Sequence, residues 1–388
     1  RTKSFESNTG RASAFVNTFV KGVDWGNYLN EYKVMEKITK QEVIEFANKY
    51  LGNNNYAVIY KRKGEDKNIK KVDKPAITPI EANRETQSVF LKKFMELPSS
   101  RVQPDFIDYN KRISNQALGS NVPFAYIKNE ENNLFELYYI FDMGSANDLY
   151  LTLAINYLPY LGTDKYSASD LQKEFFKYGL SFNVYTSSDR VYVSLSGLES
   201  NLDKGVELFE HVLSAVQPDN KAYKELVNGM IKERVDAKTN KSAIFNSAMA
   251  SYARYGSFSP VTDLLTEKEL NNTLPADLTN KIKTLSTYKH RIFYYGQRSQ
   301  DEVKTVLAKY HKTNENLLDY PTAKKYTEQE TKTNKVYFVN YPMVQAQVMF
   351  MGKDETFNKS TLPAARLFNE YFGSGLSSIV FQEIRETK

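Results

Sequence analysis

The chain of 388 residues contains no cysteine. That absence excludes disulfide scaffolds, thiolate zinc sites and cysteine nucleophiles together. Histidine is nearly as scarce, with His211, His290 and His311 making up the whole set. A metal site would have to draw on these three or on carboxylates. Long apolar runs are also missing. No stretch of roughly 18 apolar residues occurs, so no helix is expected to span a membrane. Neither sign of charge dominates: 52 basic residues stand against 46 acidic ones, a net charge of +6, with no arginine-rich block. Nucleic acid is therefore not an expected partner. The start, Arg1-Thr2-Lys3, has no Met, no apolar segment and no cleavage site. Together with a helical pattern over residues 377–388 that stops without a cap, it reads as a piece of a longer chain.

Hydrophobic residues make up 41% of the sequence, enough at this length for large buried cores, and the length suggests two or three domains. Residues 1–62 read as helices followed by a strand, the end of one α+β unit. Thr39 and Glu42 form a capping-box pattern, and Val43, Phe46, Ala47 and Tyr50 then share a helical stripe. Residues 56–60 read as a buried strand. Residues 63–115 are rich in Lys, Asp and Pro, with one helix near 81–94. A connection this long is uncommon inside a compact domain, so it reads as a linker.

Residues 116–325 form one complete unit. Residues 122–128 and 134–143 read as strands paired around Asn129-Glu130-Glu131-Asn132. Helices are expected over 147–161 and from Ser167 to a C′ glycine at Gly179. A hairpin follows (180–185 and 190–198), then helices near 202–216, 220–236 and 243–255. A helix at 276–285, a strand at 291–295 and a helix at 300–310 close the unit. Strands followed by a helical block imply an α+β fold, with repeated units of antiparallel-rich mixed sheet and helices on one face.

The pattern then restarts. Residues 335–340 and 346–352 again read as paired strands, and 360–372 as a helix. Tyr160-Leu161-Gly162-Thr163 is echoed by Tyr371-Phe372-Gly373-Ser374. Residues 326–388 therefore read as the start of a further unit.

The run Gly162-Thr163-Asp164-Lys165-Tyr166-Ser167, with Leu171-Gln172-Lys173-Glu174 and Gly179, resembles the insulinase/pitrilysin family of zinc peptidases. So does Gly373-Ser374-Gly375-Leu376-Ser377-Ser378 with Phe381-Gln382-Glu383-Ile384-Arg385. The resemblance implies a chain covering the end of unit two, the linker, unit three and the start of unit four of a four-unit chamber. Such members carry His-x-x-Glu-His on one helix face, two imidazoles holding zinc and a glutamate activating water. The matching positions here are Leu153, Asn156 and Tyr157. Leucine has no donor atom, asparagine is no base, and neutral tyrosine is a poor zinc ligand. Glu233 lies 76 residues after Tyr157, near the third-ligand position, but alone it binds nothing.

The resemblance therefore implies that these residues are not catalytic and hold no cofactor, with zinc in an absent N-terminal unit. The partners it implies are a peptide substrate and either the missing catalytic half or a catalytic subunit. Arg385 is the one residue that it places against substrate, where a guanidinium can grip carbonyl oxygens without deprotonating. An ordinary surface arginine paired with Glu383 or Glu386 is the other reading. Glu207 and His211 mimic half of a metal motif but fall on the wrong helix, so a surface or structural role is expected. His290 and His311 read as strand-end and helix-surface residues. Two functions stay open: part of a zinc metalloendopeptidase, or a degenerate relative serving as a binding or assembly subunit. Composition fits a bacterial cell-envelope or periplasmic protein, with the cytoplasm as the alternative.

Overall fold

The computed structural model describes residues 1–52, 56–62, 64, 69–70, 72–76, 78, 86–98, 103–119 and 121–386. The chain divides into two units, Arg1–Tyr109 and Asn110–Lys388.

The first unit holds helices α1 (Asn8–Val20), α2 (Trp25–Met35), α3 (Lys40–Tyr50) and α4 (Val89–Met95). The capping box is present: Thr39 Oγ1 accepts from Glu42 N at 3.2 Å, and Thr39 N donates back to Glu42 Oε2 at 2.7 Å. The stripe predicted on α3 exists but faces solvent, and Phe46 is 62% exposed. Residues 56–60, predicted as a strand, are irregular and exposed. Among the described residues no strand lies in this unit to pair with them, and an unpaired strand leaves its amides with no ladder. Of the helix predicted near 81–94, residues 81–85 lie outside the described set; the described part begins at Val89.

A short helix α5 (Tyr109–Arg112) leads into the second unit. Six strands form one sheet: β1 (Ser114–Leu118), β2 (Val122–Lys128), β3 (Leu134–Phe141), β4 (Leu180–Thr186), β5 (Val191–Leu198) and β6 (Arg291–Gly296). Their spatial order is β1-β2-β6-β3-β5-β4. Strand β6 pairs parallel with β2 and antiparallel with β3. The hairpin predicted around Asn129 is thus corrected: the strands it connects are not partners. The connection instead spans two strand spacings, roughly 9–10 Å. Asn129 makes this possible. Its buried side chain accepts from the amides of Glu131 and Asn132 and donates to the Leu134 carbonyl. Its own N–H reaches Gly296 O on β6 at 2.7 Å. The second predicted hairpin, β4–β5, is present. Strand β1 had no counterpart in the sequence reading.

Helices α6 (Leu149–Tyr157), α7 (Ala168–Lys177), α8 (Leu202–Ala215), α9 (Asn220–Ala237), α10 (Ala250–Tyr255), α11 (Glu267–Asn272), α12 (Pro275–Lys283) and α13 (Gln300–Tyr310) complete the fold. A π-helical stretch, Ala243–Met249, precedes α10. Alternation decides the buried face. Phe135, Leu137, Tyr139 and Phe141 of β3, Val191, Val193 and Leu195 of β5, and Ile292 and Tyr294 of β6 share one core with Leu153, Phe209, Ile282 and Leu307 from the helices. Burying each such side chain contributes about 1.5–3 kcal/mol. Gly179 ends the α7 turn at φ +60°, a conformation in which a side chain would be strained.

Beyond α13 the expected repeat is only partly present. Helix α14 (Leu362–Phe372) forms as predicted, and a π-helical turn follows at Phe381–Glu386. Residues 335–340 and 346–352, predicted as strands, are irregular. Phe338 is 83% and Phe350 96% exposed. Among the described residues no strand pairs with either segment, and isolated strand pairs are marginal in water.

Candidate functional site

Helix α6 is the element on which the chemistry turns. Asp148 caps it, accepting from the amides of Tyr150 and Leu151 at 2.8 and 3.1 Å, and pairs with Lys281 Nζ at 2.6 Å. Leu153 and Tyr157, one helical turn apart, both point into the core at 1% and 0% exposure. The Tyr157 hydroxyl donates to Asp219 O at 2.6 Å and accepts from Asp219 N at 2.8 Å. Its ring packs edge-on against Tyr223, with centroids 5.5 Å apart. Burial pushes the phenol's pKa up, so it stays neutral. Tyr157 thus fastens α6 to the start of α9, where Asp219 is the capping residue.

Asn156 faces solvent on α6, and Glu233 faces solvent on α9. The structure therefore brings Leu153 and Tyr157 into the core and leaves Asn156 and Glu233 on the surface. These positions do not fit a zinc ion. Leu153 offers no donor, and Tyr157 has committed its hydroxyl to backbone. Among the described residues no group of three or more His, Asp or Glu side chains is placed to hold a metal.

His211 is turned toward the loop after α6. Its Nε2 lies 3.0 Å from Thr163 Oγ1 and 3.2 Å from Asp164 Oδ1. Burial holds its pKa below the ordinary imidazole value, against the pull of Asp164. Glu207 instead meets Lys204 at 3.1 Å, so the pair does not converge on a cation. Within the same loop, a Cβ on Gly162 would lie 2.4 Å from Tyr166 O. Only glycine fits this turn.

Arg385 is exposed on the terminal helical turn, with its guanidinium 4.8 Å from the centre of the Phe381 ring.

His290 and His311 differ most from expectation. Both are buried, at 4% and 5% exposure, with their Nε2 atoms 2.9 Å apart. His290 Nδ1 meets Tyr288 O at 2.7 Å, and His311 Nδ1 meets Glu210 Oε1 at 2.8 Å. The Tyr139 hydroxyl donates to the same Glu210 oxygen at 2.5 Å. Burial pushes His290 down to about 4, while burial and Glu210 hold Tyr139 well above the usual phenol range. No local spacing links residues so far apart in sequence. The readable signal was Glu210, one turn after Val206 and beside Phe209 on an otherwise apolar helix face.

The arrangement is that of an α+β unit in which Leu153 and Tyr157 serve packing while Asn156 and Glu233 lie on the surface. Residues 154–257 match the sequence profile of insulinase (peptidase family M16). The match includes Asn156, Tyr157 and Glu233. No curated protein matches the chain in sequence. In fold the chain is similar to a peptidase M16 inactive domain from Pseudomonas fluorescens, at 15% identity and a TM-score of 0.52, over 71% of this chain and 68% of that one. It is also similar to a protease from Helicobacter pylori, at 16% identity and a TM-score of 0.51, over 70% of this chain and 68% of that one.

Proposed function

We propose that this chain supplies the non-catalytic part of a zinc metalloendopeptidase and lines its peptide chamber. In this reading 1–62 ends one unit, 63–115 is the hinge between halves, 116–325 is a complete wall unit and 326–388 opens the next. Zinc and the water-activating glutamate belong to a catalytic half or subunit that meets this one. The observation that carries the reading is the helix leading into Gly162. It keeps the family's plan, yet Leu153, Asn156 and Tyr157 have no group that can hold and use a cation. No helix among the described residues is long and apolar enough to cross a membrane; we place the protein in the cell envelope or periplasm.

Arg385 is the substrate contact. It is exposed, with its guanidinium over the Phe381 ring, and a guanidinium in that position can grip a peptide carbonyl. Arg385→Ala in the full-length protein is expected to lower kcat/KM for zinc-dependent peptide hydrolysis at least tenfold and to leave the unfolding midpoint unchanged. Unaltered turnover would remove Arg385 from the site. A full-length protein with no zinc and no hydrolysis would make the chain a binding or assembly subunit.

A further inference from the structure

We infer that Tyr139, Glu210, His290 and His311 together hold one proton more than a carboxylate, a phenol and two neutral imidazoles carry, and that this proton latches the end of α13 to the sheet. Hydrogen-bond valence decides the count. His290 Nδ1 lies 2.7 Å from Tyr288 O. A carbonyl only accepts, so Nδ1 carries the hydrogen. Burial keeps the ring neutral, which leaves Nε2 as a bare lone pair. That lone pair faces His311 Nε2 at 2.9 Å, so His311 donates there. His311 Nδ1 then faces Glu210 Oε1 at 2.8 Å. A neutral His311 has spent its one hydrogen on His290 and would set a second lone pair against a carboxylate. Two acceptors do not hold that separation without a hydrogen between them, so one extra proton sits on His311 or on Glu210. Tyr139 does not supply it. Its hydroxyl donates to the same oxygen at 2.5 Å, and its proton is firmly held.

The groups facing the pair come from every element packed around it: Tyr139 from β3, Glu210 from α8, and His290 from the residue before β6. The neighbouring charges are engaged elsewhere, Arg291 with Asp142, Lys289 with Asp319, and His211 with Asp164. His311 caps α13 and opens the segment that runs back over the unit. Leu318 N donates to Thr287 O at 2.8 Å, and Lys324 N donates to Ala146 O at 2.8 Å. The latch therefore fixes where this segment leaves the core.

Histidine nitrogen-15 NMR on the wild-type chain at neutral pH counts the protonated ring nitrogens of His290 and His311. Three are expected if the proton rests on His311. Two are expected if it rests on Glu210, together with an infrared carboxylic-acid band that Glu210→Gln abolishes. With the amide nitrogen of Glu210→Gln in the place of that shared oxygen, its two hydrogens serve His311 Nδ1 and the Tyr139 hydroxyl oxygen, so both contacts are made with no extra proton. That variant is expected to show two protonated ring nitrogens and an unfolding midpoint near wild type. Two protonated nitrogens with an ionised carboxylate in the wild type would overturn the proposal, whatever the variant does.

Discussion

Residues 134–141 and residues 335–352 both alternate apolar side chains in the manner of strands, and only the first stretch is a strand. In β3, Phe135 and Leu137 are fully buried, with β5 on one side and β6 on the other. In the later stretch Val336 is 93% exposed, and Thr331 Oγ1, which accepts from Lys353 N at 3.0 Å, ties its two ends. The alternation is the same; the neighbours differ. Strand character belongs to the pairing and not to the segment. The same lesson applies within the sheet. Strand β2 has as its inner neighbour β6, which arrives more than 160 residues later in the chain, not the strand next to it in sequence.

The largest expected effect tests this contrast directly. Phe135→Ala removes a ring from the centre of the core and is expected to cost about 3–5 kcal/mol. Phe350→Ala removes the same ring from an exposed segment and is expected to stay within about 0.5 kcal/mol. Urea unfolding monitored by circular dichroism measures both. Comparable losses would mean that the later stretch is packed and that the contrast is false.

Acid is expected to act next, through His290. The unfolded chain protonates an imidazole near the ordinary value of about 6.5, whereas folded His290 resists until about 4. The folded state therefore binds fewer protons between these values. Stability that is complete above pH 6.5 is lost as pH falls through this window, on the order of 3 kcal/mol in all. His290→Gln is expected to flatten that dependence. Unfolding free energies at pH 7 and pH 4.5 compare the two proteins, and parallel slopes would remove His290 as the cause.

Legibility in the sequence follows the same divide between local and distant causes. The capping box at Thr39, the C′ glycine at Gly179 and the β4–β5 hairpin are set by residues a few positions apart, and each was readable. That Leu153, Asn156 and Tyr157 offer no metal-binding set is likewise a matter of their own chemistry, since they fall within one helical turn. The insertion of β6 between β2 and β3 was not readable, since hydrophobic period reports which face is buried and not which strand lies alongside. The meeting of Tyr139, Glu210, His290 and His311 was hidden for the same reason. Each sits on a different element, and the sheet order brings them together.

The smallest effect separates two neighbouring residues of α6. Tyr157, whose ring is buried, exchanges two hydrogen bonds with the backbone of Asp219, at 2.6 and 2.8 Å. Tyr157→Phe keeps the ring and its contact with Tyr223 but leaves the Asp219 carbonyl and amide without that partner. The expected cost is about 1–3 kcal/mol, below that of the ring deletion in β3. Asn156 is exposed on the same turn, and Asn156→Ala is expected to change stability by no more than about 0.5 kcal/mol. Thermal unfolding of the two variants reads the difference. If Tyr157→Phe were neutral, the phenol would not be fastening α6 to α9, and the position would be free for another role. A loss confined to Tyr157 would mean that this phenol, and not its exposed neighbour, ties the two helices together.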